Sequence, residues 1–100
     1  MSQQNITVLL PAYNEGDRIK NTIDALRSSP YVNRIVVIDD GSIDDTFSIA
    51  QKSGAIVYRF DKNKGKGYAL QYGVQKVIAD SDVIVFLDAD LADTAREVDK

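Results

Sequence analysis

The sequence predicts an α/β protein with a doubly wound, mostly parallel sheet in the order β-α-β-α-β-α-β. Two patterns carry that expectation. Four short runs rich in Val and Ile are continuously apolar rather than alternating, as strands buried on both faces are. Between them, apolar residues recur at helical spacing, and parallel neighbours need such crossovers.

The first strand covers Ile6 to Leu10. The first helix carries Ile19, Ile23 and Leu26 at i, i+4, i+7 and ends near Ser28, with Asn14 as its N-cap and Asp17 three residues on. Arg34 to Ile38 is the second strand. A short helix follows, opened by Ser42 and Asp45 as a capping box, facing inward with Ile43, Phe47 and Ala50, and stopped by Gly54. Ala55 to Tyr58 is the third strand. Leu70, Val74, Val77 and Ile78 mark the third helix, and Val83 to Leu87 the last strand.

One hundred residues, 44% apolar and 27% charged, suit one ordinary domain. A net charge of −3 gives no basic excess for a phosphate polymer, so no nucleic-acid partner is expected. Cysteine and histidine are both absent, which removes disulfides, zinc knuckles, thiol chemistry and Ser-His hydrolysis. Chemistry falls to carboxylates, lysines, tyrosines and backbone amides. No run approaches the ~18–20 apolar residues of a membrane span. The polar start at Met1 to Ile6 lacks the features of a signal peptide, so a cytoplasmic location is expected, or the cytoplasmic face of a membrane in a longer parent.

In doubly wound sheets, ligands bind beyond the carboxyl ends of the strands. The polar punctuation collects there: Pro11-Ala12-Tyr13-Asn14-Glu15, Asp39-Asp40-Gly41-Ser42, Asp61 to Gly67, and Asp88-Ala89-Asp90. Asp88 and Asp90 share a face if the chain stays extended, and two carboxylates in register suit Mg2+ or Mn2+. They also read as a solvated acidic turn. Asp39 and Asp40 suit a base, a ribose or a metal, and Tyr13 suits a nucleobase stack or a surface packing role. Lys64-Gly65-Lys66-Gly67 precedes a helix and offers amides and lysines to a phosphate, although it matches neither a Walker loop nor a dinucleotide fingerprint. Together the clusters fit a nucleoside diphosphate with its divalent cation.

Those four motifs, with Asp44, Asp45, Thr46 and Ala69, resemble family 2 glycosyltransferases of the GT-A fold across nearly the whole chain. The polyprenyl- and dolichyl-phosphate sugar transferases are the most similar branch. The resemblance implies inverting transfer of a sugar from a UDP- or GDP-sugar to an acceptor, a polyprenyl phosphate among the candidates. It implies a nucleotide site of Pro11, Ala12, Tyr13, Glu15, Asp40, Lys66, Asp88 and Ala89, in which Tyr13 packs on the base, Asp40 bonds its edge and Glu15 approaches the nucleoside. Asp88 then lies near the ribose or the metal's water shell, and Asp90 ligates Mg2+ or Mn2+. Where mannosyl members of that branch carry Gln or His, this chain has Ala92, which implies either one protein ligand fewer on the metal or a sister group with a different donor.

The catalytic-base carboxylate is expected beyond Lys100, so residues 1–100 read as one nucleotide-sugar-binding part of a longer enzyme, catalytically incomplete alone. An apolar face uncovered in such a part favours self-association. The alternative is a non-catalytic nucleotide- or metal-binding module. A haloacid-dehalogenase-type phosphotransferase places its D-x-D pair on the first strand, and a response-regulator receiver needs an Asp where Tyr58-Arg59-Phe60 stands, so both fit poorly.

Overall fold

The computed structural model describes residues 4–89. Four strands, β1 (Ile6–Ala12), β2 (Arg34–Asp39), β3 (Ile56–Arg59) and β4 (Val83–Phe86), form one parallel sheet in the order β3-β2-β1-β4. The expected α/β class is therefore found, with every strand pair parallel. Helices α1 (Gly16–Arg27) and α2 (Thr46–Lys52) cover one face of the sheet, and α3 (Lys66–Val77) covers the other.

The chain steps from β1 outward to β3, then crosses back to lay β4 on the far side of β1. That reversal creates a switch point between β1 and β4, where the two connections leave in opposite directions. The central strands are apolar without alternation because both faces are covered. Val8, Leu10, Val37, Ile19 and Ile23 pack on the α1–α2 side, and Leu9, Val36, Ile38 and Phe60 on the α3 side.

Several boundaries differ from expectation. Strand β1 runs on through Pro11 and Ala12. Leu87 N–H donates to the Leu9 carbonyl and Asp40 N–H to the Ala12 carbonyl, so residues of Pro11's parity face β4. Pro11 has no N–H to continue that ladder, and the β1–β4 pairing stops at Leu9 and Phe86. Strand β2 likewise takes in Asp39. Strand β3 is displaced by one residue, and β4 ends one residue short of Leu87.

The capping box at Ser42 does not form. Ser42 Oγ instead accepts from Asn14 N–H at 2.8 Å, α2 starts at Thr46 after Asp45, and Ile43 is exposed. Asn14 does not cap α1 either. It sits at φ +52°, its Oδ1 accepts from Ile43 N–H at 2.9 Å, and Glu15 precedes the helix.

On α3 the inward face is Ala69, Gly73 and Val77, while Leu70 and Val74 are partly buried beside it and Ile78 is exposed in a following 3-10 turn. A Cβ on Gly73 would lie 2.6 Å from a Leu9 methyl, so the absent side chain lets α3 approach the sheet. Beside that helix Phe86 is half-exposed on strand β4, which has no partner on its far side among the described residues. Among those residues, no helix is long and apolar enough to cross a membrane.

Candidate functional site: a cleft at the sheet's switch point

A cleft of about 480 Å³ opens at the carboxyl ends of the strands. Its walls are Pro11, Ala12, Tyr13 and Glu15 after β1, Asp40 after β2, Asn63, Gly65 and Lys66 before and at the start of α3, and Asp88 and Ala89 after β4. All eight residues expected to contact a nucleotide line it. Gly65, from the loop expected to meet a phosphate, and Asn63 join them. Asp90, expected to ligate a metal, and Ala92, the departure from the family pattern, lie outside the described residues.

Tyr13 stands on the rim, 45% exposed, with its ring free to lie against a flat ligand. Glu15 is held from both neighbouring helices: its N–H donates to Thr46 Oγ1 at the start of α2 at 2.9 Å, and Arg18 of α1 lies 3.6 Å from one carboxylate oxygen. Ala89 is buried and its carbonyl accepts from the Thr22 hydroxyl, which ties the end of β4 to α1.

The adjacent acids Asp39 and Asp40 part company. Asp39 is wholly buried in β2 rather than presented at the rim. One of its oxygens accepts from Ser42 N–H at 3.0 Å, and the other lies 3.8 Å from Arg59 Nε. Asp40 faces the cleft, but its two oxygens accept from Lys64 N–H at 2.7 Å and Gly65 N–H at 2.9 Å. Each acid thus has its own compensation, a cation for one and two amides for the other, which answers why like charges stand side by side. The same bonds correct the expectation for the Lys64–Gly67 loop. Two of the amides proposed for a phosphate already bind an internal anion, which leaves the Lys66 side chain and the amides at the start of α3 to meet an external one.

Lys66 Nζ pairs with an Asp88 oxygen across the cleft mouth, both side chains being mostly exposed. Asp88 is therefore an open carboxylate that already holds a cation. Among the described residues no cluster of three or more acids, His or Cys gathers to cage a metal. Such a cage is not required by Mg2+ or Mn2+, which take one or two carboxylates and fill the remaining positions with water and phosphate oxygens. The donor chemistry at Asp88 fits.

Asp44 ties the starts of α1 and α2 together. It accepts from Gly16 N–H at 3.1 Å and Thr46 N–H at 3.0 Å, and from the Thr46 hydroxyl. Burial pushes its carboxyl up, but the Thr46 and Gly16 hydrogen bonds outweigh burial and hold it below the usual carboxylate value. Sequence reasoning gave Asp44 no role, although its spacing to Thr46 was visible.

Comparison with known proteins agrees with this geometry. The chain is 39% identical over its whole length to the uncharacterized protein MJ1222 of Methanocaldococcus jannaschii, of which it covers 41%. It is 32% identical, over 90% of its length, to UDP-N-acetylglucosamine–dolichyl-phosphate N-acetylglucosaminyltransferase of Methanococcus voltae, of which it covers 43%. The chain thus spans less than half the length of these relatives. Among solved structures, glucosyl-3-phosphoglycerate synthase from Mycobacterium tuberculosis with Mn2+ and UDP superposes at a TM-score of 0.74 and 34% identity, over 86% of this chain and 33% of that one. The Pyrobaculum calidifontis mannosyltransferase PcManGT with GDP-Man and Mn2+ gives a TM-score of 0.80 at 26% identity, over 90% and 28%. The model of glycosyl transferase family 2 matches residues 7–100, and the chain belongs to that family.

Proposed function

We propose that the cleft binds the nucleoside diphosphate of a UDP- or GDP-sugar together with Mg2+ or Mn2+, as the donor-binding part of an inverting glycosyltransferase. The observation that carries the reading is the convergence of four separate loops, an aromatic ring, three carboxylates and one lysine on a single cleft at the switch point. Tyr13 packs on the base, Asp40 meets its edge, and Glu15 lies toward the nucleoside. Lys66 leaves Asp88 for the diphosphate, and Asp88 with Asp90 then serves the cation. When bound, the cation offsets charge on the leaving diphosphate, work that needs no histidine. The acceptor class that the dolichyl-phosphate relative favours is a lipid phosphate.

Calorimetric titration of UDP and GDP into the chain, each with and without Mn2+, tests this. The expected result is binding of one or both that requires the metal and is abolished in Asp88→Ala and Asp90→Ala. Binding that ignores the metal would remove the role given to the two acids. No binding of either nucleotide would overturn the reading.

A further inference from the structure

The three carboxylates that line the cleft are held in three different ways. Asp40 accepts from two backbone amides, and Glu15 has Arg18 at 3.6 Å, a residue outside the cleft wall. Asp88 has one side-chain partner among the described residues, the Lys66 ammonium, and that partner is itself a wall residue. We infer, on the basis of the nucleotide reading above, that Lys66 couples the cleft's two ligands. It serves Asp88 as a built-in counter-ion, holds the carboxylate against a free divalent cation, and gives it up when a diphosphate arrives.

The place of Lys66 in the fold is costly unless an anion faces it. It is the first residue of α3, whose first turn holds no acid, and Gly65 before it has no side chain to cap the free amides. A helix begins with partial positive charge, so an ammonium at that point is repelled. Asp88 supplies the missing anion. The two side chains are 61% and 60% exposed, which keeps the pair exchangeable. A second cleft of about 300 Å³ shares Pro11, Lys66 and Asp88 with the first, so the ammonium has open space on either side into which to move.

Mg2+ or Mn2+ seeks the same carboxylate oxygens. Taking Asp88 from Lys66 leaves the ammonium at a helix start, beside a divalent cation and without an anion. Both consequences oppose metal binding. A diphosphate removes the conflict, because its oxygens give Lys66 another anion and complete the metal's coordination. Each ligand therefore raises the affinity for the other, by the same factor in both directions. Lys64 does not share the role, since its ammonium lies over the Tyr68 ring, 5.1 Å from the centroid.

The test is titration of Mn2+ into the chain, followed by the electron paramagnetic resonance signal of free Mn2+, without nucleotide and with saturating UDP or GDP. Without nucleotide, Lys66→Met should bind Mn2+ about two- to fivefold more tightly than the native chain, the scale of an exposed ion pair. With nucleotide that gain should vanish, because Lys66 no longer holds Asp88. Lys62→Met removes the same charge from the same loop but nothing from the cleft wall. It should leave the affinity for Mn2+ within about twofold, because a distant exposed charge is screened. In an Asp88→Asn background, Lys66→Met should bring no gain at all. Any one of three results overturns the coupling role while leaving the nucleotide site standing: no gain in Lys66→Met, an equal gain in Lys62→Met, or a gain that persists in Asp88→Asn. Mn2+ affinity in the native chain that neither UDP nor GDP changes overturns the nucleotide reading, and the coupling with it.

Discussion

The two ends of the sheet use the same polar chemistry to opposite effect. At the amino ends of the strands, side chains stitch neighbouring elements directly to one another. Asn33 Oδ1 accepts from Ile6 N–H, Asp82 Oδ2 accepts from Asn5 N–H, and Ser81 Oγ meets both Thr7 Oγ1 and Arg34. The smaller cleft there, about 290 Å³, has two arginines in its wall, but both are committed. Arg27 donates to the Ser53 carbonyl, and Arg34 binds Ser81 and lies 3.8 Å from Asp80. At the carboxyl ends, the bonds join loop to loop: Asn14 with Ser42 and Ile43, Gly16 with Asp44, and Asp40 with Lys64 and Gly65. Those links brace the loops around a gap instead of closing it. Polar residues near strand ends are thus no site by themselves, and which backbone they bind decides.

The carboxyl end is most vulnerable at Gly41, where its loops lean on one another. At φ +74°, with backbone 2.6 Å from a hypothetical Cβ, this position has no space for a side chain. Gly41→Ala should cost more than about 2 kcal/mol in denaturant unfolding and remove nucleotide binding. Gly65 supplies the contrast. It also has positive φ, +99°, but nothing lies within 4 Å of its Cβ position, so Gly65→Ala should cost roughly 1–2 kcal/mol of backbone strain alone. Equal losses in the two variants would mean that the loop does not rest on the β2 turn.

Tyr13 and Asn33 separate the ends by function. Tyr13→Ala removes an exposed ring and should leave stability unchanged while weakening nucleoside diphosphate binding by ~1–3 kcal/mol, the scale of a base stacked on an aromatic ring. Asn33→Ala should do the reverse, costing about 1 kcal/mol of stability for the lost bond to Ile6 with nucleotide affinity intact. Loss of affinity in Asn33→Ala would mean that the two ends are not independent.

What could be read from the sequence divides along the same physical line. That Tyr13, Asp40, Lys66 and Asp88 share one cleft is legible because strand ends are visible as the close of apolar runs, and the switch-point rule says what gathers there. The partners of those residues were not visible. Ser42 has the spacing of a helix cap, but Asn14 N–H reaches it across the fold and outcompetes the local bond. Lys64 and Gly65 look like phosphate ligands until β2 brings Asp40 beneath them. The inward face of α3 was misread by one position because Ala69 and Gly73, small and fully packed, add little to an apolar count. Pro11 closes the β1–β4 ladder for a reason that depends on which strand lies beside it, and strand order is not a local property.

The smallest expected effect sharpens the bracing role itself. Asp44 accepts hydrogen bonds from the starts of both helices, and those bonds favour its ionised form over the opposing effect of burial. In the unfolded chain the donors are gone and the carboxyl returns to its ordinary value of 3.8. The folded value is lower, so near that pH the unfolded state binds more protons and stability rises with pH. The contribution is complete above the unfolded value and is lost as pH falls through the folded one. Asp44→Asn keeps an acceptor oxygen but cannot titrate. Denaturant unfolding of the two proteins should therefore show a constant advantage for the native residue from neutral pH down to about pH 5, shrinking below about pH 4. An advantage that grew on acidification would reverse the sign, and would mean that burial, not the Gly16 and Thr46 hydrogen bonds, governs the carboxyl that joins the two helices.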